Sequence, residues 1–202
     1  NSYPRPGGVA ALLYFLVASL LLLPNLARAG TPVLRLEGTV APGTGVDATA
    51  FVDGLELVNV ATGLPVALPV PNGSFETFGA LGNGSYGYNP SGATWAFASF
   101  SGIASNGSPF GAAPAPDGQS VAFLQTTSTA TGYFSQTLPS LPAGLYQLRL
   151  RAAQRSTSTT PQSVRVLADG VVVGTFTPGV AFATYLSASF AVDAPVLRLE
   201  AT

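Results

Sequence analysis

The side chains that most often carry catalysis are missing from this chain of 202 residues. It contains no His and no Cys, and all eight of its basic residues are Arg. A Ser–His or Cys–His nucleophile pair, an imidazole or thiolate metal site and a Lys Schiff base are therefore excluded. The nine acidic residues are scattered singly, and none stands in a glycosidase pattern of paired carboxylates. We expect that the chain is not an enzyme. A glycoside hydrolase ranks a distant third, behind a binding module and a structural subunit.

The chemistry that remains is molecular recognition. The apolar face of a sugar ring stacks on an aromatic side chain, while its hydroxyls need polar partners. Tyr86 and Tyr88 lie in a Gly-rich, loop-like segment that presents them to solvent. Trp95 is also a candidate, but it lies on a predicted strand, where a core position is favoured over contact with a sugar. Arg155 precedes the polar run 156–160 and is a candidate donor to sugar hydroxyls, unless that run is simply a solvated loop.

Composition indicates an exported β-protein. Hydrophobic residues make up 47% of the chain and charged residues only 8%, with 23 Gly and 17 Pro. The apolar content is too high for disorder, and no disulfide can support the fold, so a packed core must. The formal net charge is −1 and no basic cluster is present. Nucleic acid is therefore not an expected partner.

The first 29 residues are predicted to be a signal peptide with a hydrophobic helix. Arg5 precedes an apolar run at residues 9–23, and an Ala-x-Ala site follows at residues 27–29. The run is short for a membrane span, although an uncleaved membrane anchor is the alternative. The frequent Ala, Gly and Arg are typical of a bacterial protein. We expect a secreted or cell-surface location.

From residue 30 onward the hydrophobic pattern has a period of two. Tyr146, Leu148 and Leu150 alternate with polar residues, which predicts a strand with one buried face. Asp169 and Gly170 separate two β-branched runs, a strong hairpin signal. Many short strands with Gly- and Pro-rich turns predict an all-β sandwich or barrel. The Pro-rich residues 61–71 are predicted to be a connector.

Residues 72–202, the predicted module body, carry a family resemblance. The segments are NGSFE at 72–76, YNP at 88–90, ATWAF at 93–97, SGI at 101–103, DGQ at 117–119, AFLQ at 122–125, FSQ at 134–136, LY at 145–146 and AAQR at 152–155. In this order they resemble the galactose-binding-like modules of secreted bacterial proteins. They are also similar to a plant cell-wall family of unknown function and to carbohydrate-binding modules. The resemblance implies a jelly-roll β-sandwich that associates with a polysaccharide or cell-surface glycan.

The same resemblance implies a structural calcium ion as a possible cofactor. In related sugar-binding jelly rolls, a Glu after the Asn-Gly-x-Phe turn and an Asp of the last strand help to hold calcium, which suggests Glu76 and Asp53 here. Carboxylate and backbone oxygens are the ligands that this ion takes. The alternative is that Glu76 caps a turn and Asp53 pairs with an Arg.

The chain departs from the family at its ends. Residues 32–39 (PVLRLEGT) and 195–202 (PVLRLEAT) are nearly identical, and residues 47–53 resemble the family's closing strand. Residues 30–60 are thus a strand pair that resembles the C-terminal end of the module. They close their own module, or are donated to a neighbour, or belong to a tandem array. We expect residues 32–58 to pair with the module body, with one copy of the repeat at a sheet edge.

These observations favour a non-catalytic, extracellular carbohydrate-binding or cell-surface attachment module. The alternative is a structural subunit that assembles by strand exchange through residues 32–58 and self-associates through edge strands. Contact with a membrane is expected only if the N-terminal segment is uncleaved.

Overall fold

Strands are the only regular secondary structure in the part of the chain that the structure describes. The computed structural model describes residues 29–40, 47–67, 70–78, 81–157 and 160–193. These residues form fourteen strands and no helix: β1 (Ala29–Gly30), β2 (Val33–Thr39), β3 (Ala48–Asn59), β4 (Tyr86–Tyr88), β5 (Ala96–Ala98), β6 (Ser101–Ser105), β7 (Ser120–Thr126), β8 (Tyr133–Thr137), β9 (Leu141–Pro142), β10 (Gly144–Gln154), β11 (Ser163–Ala168), β12 (Val171–Phe176), β13 (Ala183–Leu186) and β14 (Phe190–Val192). The prediction of an all-β chain is confirmed.

No helix capable of crossing a membrane occurs among these described residues. The segment predicted to be a signal helix lies, up to residue 28, outside the described residues.

Two antiparallel sheets face each other across one core. The seven-stranded sheet has the order β13-β10-β3-β7-β6-β4, with β14 also paired to β10, and the five-stranded sheet has the order β12-β11-β2-β8-β5. A separate two-stranded pair joins β1 to β9. Alternate residues of both sheets fill the space between them, which is the packing of a β-sandwich. The fully buried members of this core include Leu34, Leu36, Val52, Leu57, Ile103, Leu124, Phe134, Leu148, Leu150, Val164 and Val166.

The two strands near the N-terminus occupy internal places in the sheets. β2 lies between β11 and β8, and β3 lies between β10 and β7. Residues 33–39 and 48–59 thus pair with the rest of the chain, as expected for residues 32–58. They do not pair with each other, however, because each enters a different sheet. β2 is also not at a sheet edge, and the second copy of its sequence, residues 195–202, lies outside the described residues.

A β-bulge determines which side chains reach the outer face of the seven-stranded sheet. Arg149 pairs with Glu56 and Arg151 pairs with Asp53, so two residues of β3 oppose one of β10. Gly54 has a positive φ of 57° at this point, the conformation that such a bulge requires. Asp53 and Glu56 therefore both face outward although three positions separate them, while Val52, Leu55 and Leu57 enter the core.

The hairpin predicted at Asp169 and Gly170 is confirmed. The two residues connect β11 to β12 and have φ values of 48° and 80°. Positive φ at both central positions is the geometry of a tight hairpin turn whose twist matches that of the strands.

Candidate functional site

A loop covers part of the outer face of the seven-stranded sheet. Residues 106–119, here called the cover loop, place Phe110 on the sheet, where its ring centroid lies 4.2 Å from that of Phe123 and 6.1 Å from that of Phe51. These rings, with Ala104 and Val121, form a second apolar cluster that is separate from the core between the sheets.

Tyr86 and Tyr88 form the exposed layer of this second cluster. Both belong to the edge strand β4, and their spacing of two places them on the same face. The Tyr86 ring lies 4.8 Å from that of Phe110, and the Tyr88 ring lies 5.0 Å from that of Phe123. Both tyrosines are 41% exposed, whereas Phe110 and Phe123 are buried. We call these four residues the outer aromatic cluster.

A hydrogen-bond network joins polar side chains to this cluster. The Tyr88 hydroxyl donates to Gln125 Oε1 over 2.5 Å, and Gln125 Nε2 donates to Asp47 Oδ1 over 2.6 Å. Asp47 Oδ2 forms an ion pair of 3.2 Å with Arg155, whose guanidinium lies 4.9 Å from the centre of the Phe110 ring. Burial raises the pKa of Tyr88, so the phenol stays protonated near neutral pH.

Three of the four side chains suggested by sequence therefore meet at one place. Tyr86 and Tyr88 belong to β4 and Arg155 directly follows β10, about seventy residues further along the chain. Sequence reasoning missed Gln125, although its alternation with Phe123 along β7 could have placed it outward. It also missed Phe110 and Asp47, for which the sequence carries no periodic signal.

Trp95 is not part of this surface, so its role as a sugar contact has to be corrected. It is 2% exposed and packs between the sheets against Phe75 and Phe134, with ring centroids 5.7 and 5.2 Å away. Its indole N–H donates to the carbonyl of Asn72 over 3.0 Å. Both the ring faces and the polar atom are thus used inside the fold, which is the core position that the sequence favours for Trp95.

Asp53 is a buried carboxyl on the outer side of β3, beneath the cover loop. Its Oδ2 accepts a hydrogen bond of 2.9 Å from the backbone N–H of Asp117, and its Oδ1 accepts one of 2.7 Å from that of Gly54. The pKa of Asp53 is raised to about 7, chiefly by burial and to a lesser degree by the nearby carboxylates of Asp117 and Glu76, although the two backbone donors lower it. Among the described residues no Arg forms an ion pair with Asp53.

Glu76 binds the C-terminal end of the cover loop. Its Oε1 accepts hydrogen bonds of 2.9 and 2.8 Å from the backbone N–H groups of Gln119 and Ser120. A Cβ at Gly118 would overlap the Glu76 carboxyl, so a glycine allows this close approach. Glu76 thus caps a turn.

The two carboxyls suggested for calcium do meet at the cover loop, but they fit the ion only in part. Calcium takes six to eight oxygen ligands. No cluster of three or more acidic side chains suited to a metal occurs in the part of the chain that the structure describes. Backbone carbonyls or water would have to complete the coordination of Glu76 and Asp53.

Comparison with known proteins does not identify the chain. No family model matches its sequence, and no curated protein or solved structure is significantly similar to it.

Proposed function

We propose that this chain is a non-catalytic carbohydrate-binding module and that the outer aromatic cluster is its glycan contact. The observation that carries the proposal is the convergence of Tyr86, Tyr88 and Arg155 on one half-exposed surface. Two adjacent, half-exposed rings beside polar side chains combine the apolar and polar groups that a ligand site needs.

The arrangement supplies both kinds of contact that a sugar needs. The tyrosine rings offer apolar faces for stacking, and each tyrosine also carries a hydroxyl. Arg155, Asp47 and Gln125 supply donors and acceptors beside the rings. The hydrogen bonds among these side chains hold them in place before a ligand arrives, which lowers the entropic cost of binding. Because the surface is shallow, we expect a modest affinity.

We also propose that the two sheets form a jelly roll and that the protein is exported. The resemblance of residues 72–202 to galactose-binding-like modules supports a jelly-roll arrangement of the two sheets. The signal-like residues 1–29 and the low charge support export to the cell surface or medium. A surface-attached glycan is the natural partner in that location.

Affinity gel electrophoresis tests the proposal. The purified chain is run through gels that contain neutral or acidic wall polysaccharides, beside its Tyr86→Ala and Tyr133→Ala variants. Tyr133 is a matched control because it is a partly buried Tyr with an Arg stacked on its ring, Arg35 at 3.6 Å, and it belongs to the other sheet. We expect retardation of the wild type and of Tyr133→Ala, and less of Tyr86→Ala. Retardation by none of the polysaccharides would refute the proposal, and release of reducing ends would indicate a glycoside hydrolase.

We further propose that Glu76 and Asp53 hold a structural calcium ion under the cover loop. The support is that carboxyls from two distant segments accept hydrogen bonds from one stretch of four residues, 117–120. A ligand that binds only the folded state raises the melting temperature by mass action. Chelator should therefore lower Tm in the wild type but not in Glu76→Gln. An unchanged Tm in the wild type would reject the calcium site.

Strand exchange is the second candidate function, and the repeated sequence at residues 32–39 and 195–202 is the observation that favours it. One difference between the copies bears on it, since Gly38 of β2 corresponds to Ala201. A Cβ at residue 38 would overlap the side-chain amide of Gln162, which is buried and donates to the Leu124 carbonyl over 2.7 Å. The second copy is thus a poorer occupant of the β2 position. If exchange occurs, light scattering should show oligomers that are lost when residues 194–202 are deleted; a monomer in both forms would exclude it.

A further inference from the structure

A second concave site lies on the same outer face of the seven-stranded sheet, toward its other edge. It is a cleft of about 700 Å³, within the range of small-ligand sites. Strands β3 and β10 form its floor, the cover loop and the turn at Ser74 form walls, and Thr184 of β13 lies at its rim. Four strand-to-strand steps separate β4 from β10, so the exposed tyrosines of the outer aromatic cluster lie roughly 19 Å across the sheet from the β10 side of the cleft.

The two arginines of this cleft differ in how their charges are compensated. Arg149 Nε forms an ion pair of 2.5 Å with Glu56, its cross-strand neighbour. Arg151 instead donates from one terminal nitrogen to the backbone carbonyl of Pro116, over 3.0 Å. Within the described part of the chain Arg151 has no other hydrogen bond and no ion pair. The cleft therefore contains a guanidinium that is anchored at one end and keeps its charge and most of its donors available.

The rest of the lining offers hydroxyls and acceptors but no aromatic ring. Ser74 and Thr184 supply hydroxyl groups, and Asp117 and Glu56 supply carboxylates. Carboxylates accept hydrogen bonds from ligand hydroxyls, while a guanidinium binds a planar carboxylate through two parallel hydrogen bonds. A ligand that matches this lining is small, rich in hydroxyls and carries one carboxylate.

We infer that the cleft binds an acidic sugar unit, with the carboxylate of a uronate held by Arg151. The inference rests on the proposed function, because it names the class of glycan that the module prefers. A glycan that reaches the outer aromatic cluster would meet the cleft further across the same face. Arg151 then sets the preference for acidic over neutral polymers, whereas the tyrosines contribute to the binding of both.

Glucuronate and glucose are the sharpest pair of probes, because they differ only in the carboxylate at C6. Each is titrated into the ¹⁵N-labelled full chain, and the amide signals of Gly54, Asp117 and Thr184 report on the cleft. We expect saturable shifts of these signals with glucuronate and binding weaker by roughly tenfold with glucose. Acetate serves as a third probe, since a site for any carboxylate would bind it as well as glucuronate.

Variants of Arg151 test whether the preference for glucuronate over glucose depends on the guanidinium group. Arg151 is exposed, so Arg151→Gln is expected to fold, and its amide spectrum checks this. Arg151→Gln should reduce glucuronate binding to the level of glucose, and Arg151→Lys should give an intermediate value because it keeps the charge without the planar fork.

Several outcomes would overturn the inference: no saturable shift with glucuronate in the wild type, equal binding of acetate, or full glucuronate binding by Arg151→Gln. Failure of the proposed function is distinguishable, because it appears in the gels as equal retardation of the wild type and Tyr86→Ala, an experiment that does not involve Arg151.

Discussion

Two aromatic clusters of this chain are built from similar rings at similar distances but have different surroundings. In the inner cluster Phe75, Trp95 and Phe134 lie 5.2–5.7 Å apart between the sheets, and the one polar atom bonds to a backbone carbonyl. In the outer cluster Tyr86 and Tyr88 cover buried rings, remain 41% exposed and reach polar side chains. Which side of a sheet a ring lies on, rather than its type, separates a stabilising cluster from a candidate binding surface.

The largest effect is expected from Trp95→Ala in the inner cluster. Removal of a buried Trp leaves a cavity and loses its transfer free energy, so the free energy of unfolding should fall by about 3–5 kcal/mol. Urea denaturation measures this change. The comparison predicts that the remaining folded protein binds glycan as the wild type does. Lost binding by Trp95→Ala under conditions where it is fully folded would break the distinction between the two clusters.

The next effect concerns pH and the buried carboxyl on the outer side. The pKa of Asp53 is raised from 3.8 to about 7 on folding, so the folded state binds a proton that the unfolded state releases. The stability that this group contributes is therefore fully present below pH 3.8 and is lost as the pH rises through about 7, by up to about 4 kcal/mol.

Urea denaturation in the presence of chelator, from about pH 4 to pH 8, measures this loss. Asp53→Asn should remove the downward slope whatever its absolute stability. A wild type whose stability does not fall over this range would show that the carboxyl ionises inside the fold without cost.

A smaller effect on stability but a clear effect on binding is expected from Tyr86→Ala. The ring is half exposed and contacts chiefly Phe110 and Tyr88, so the loss of unfolding free energy should be about 1 kcal/mol. Loss of a stacking face should weaken glycan binding by roughly tenfold, measured as the change in gel retardation with polysaccharide concentration. A loss of unfolding free energy as large as that of Trp95→Ala would show that the outer aromatic cluster is a second core rather than a binding surface.

The smallest effect is expected from Tyr88→Phe, which keeps the ring and removes the hydroxyl that donates to Gln125. A single hydrogen bond contributes about 0.5–1.5 kcal/mol, and partial exposure favours the lower end. Thermal unfolding measures it. Because Gln125 also donates to Asp47, Gln125→Ala should have a larger effect on binding than Tyr88→Phe. Identical effects would show that the network does not order the site.

Local patterns in the sequence predicted the strands but not which face of each strand is buried between the sheets. The alternation in β10 and the Asp169–Gly170 turn depend on neighbouring residues, and both were predicted. The place of Trp95 was ambiguous because an alternating strand defines two faces without saying which one meets the other sheet. The separation of β2 and β3 into different sheets was missed for the same reason.

The sequence predicted individual residues of the candidate site, but not that these residues lie together in the fold. Tyr86, Tyr88 and Arg155 were recognisable by type, but their meeting depends on the pairing of β4 with β6 and on the cover loop, which are contacts distant in sequence. The outward position of both Asp53 and Glu56 depends on a bulge at Gly54 that breaks the period of two.

One titration tests the central claim most directly, because the chain has a single Trp and hence one indole N–H signal. An oligosaccharide of a polymer that retards the chain is added to the ¹⁵N-labelled protein, and the amide signals of Tyr86 and Tyr88 are followed together with the Trp95 indole. The account predicts saturable shifts at the two tyrosines and an indole signal that does not move. A shift of the indole signal, with the tyrosine signals unchanged, would contradict it.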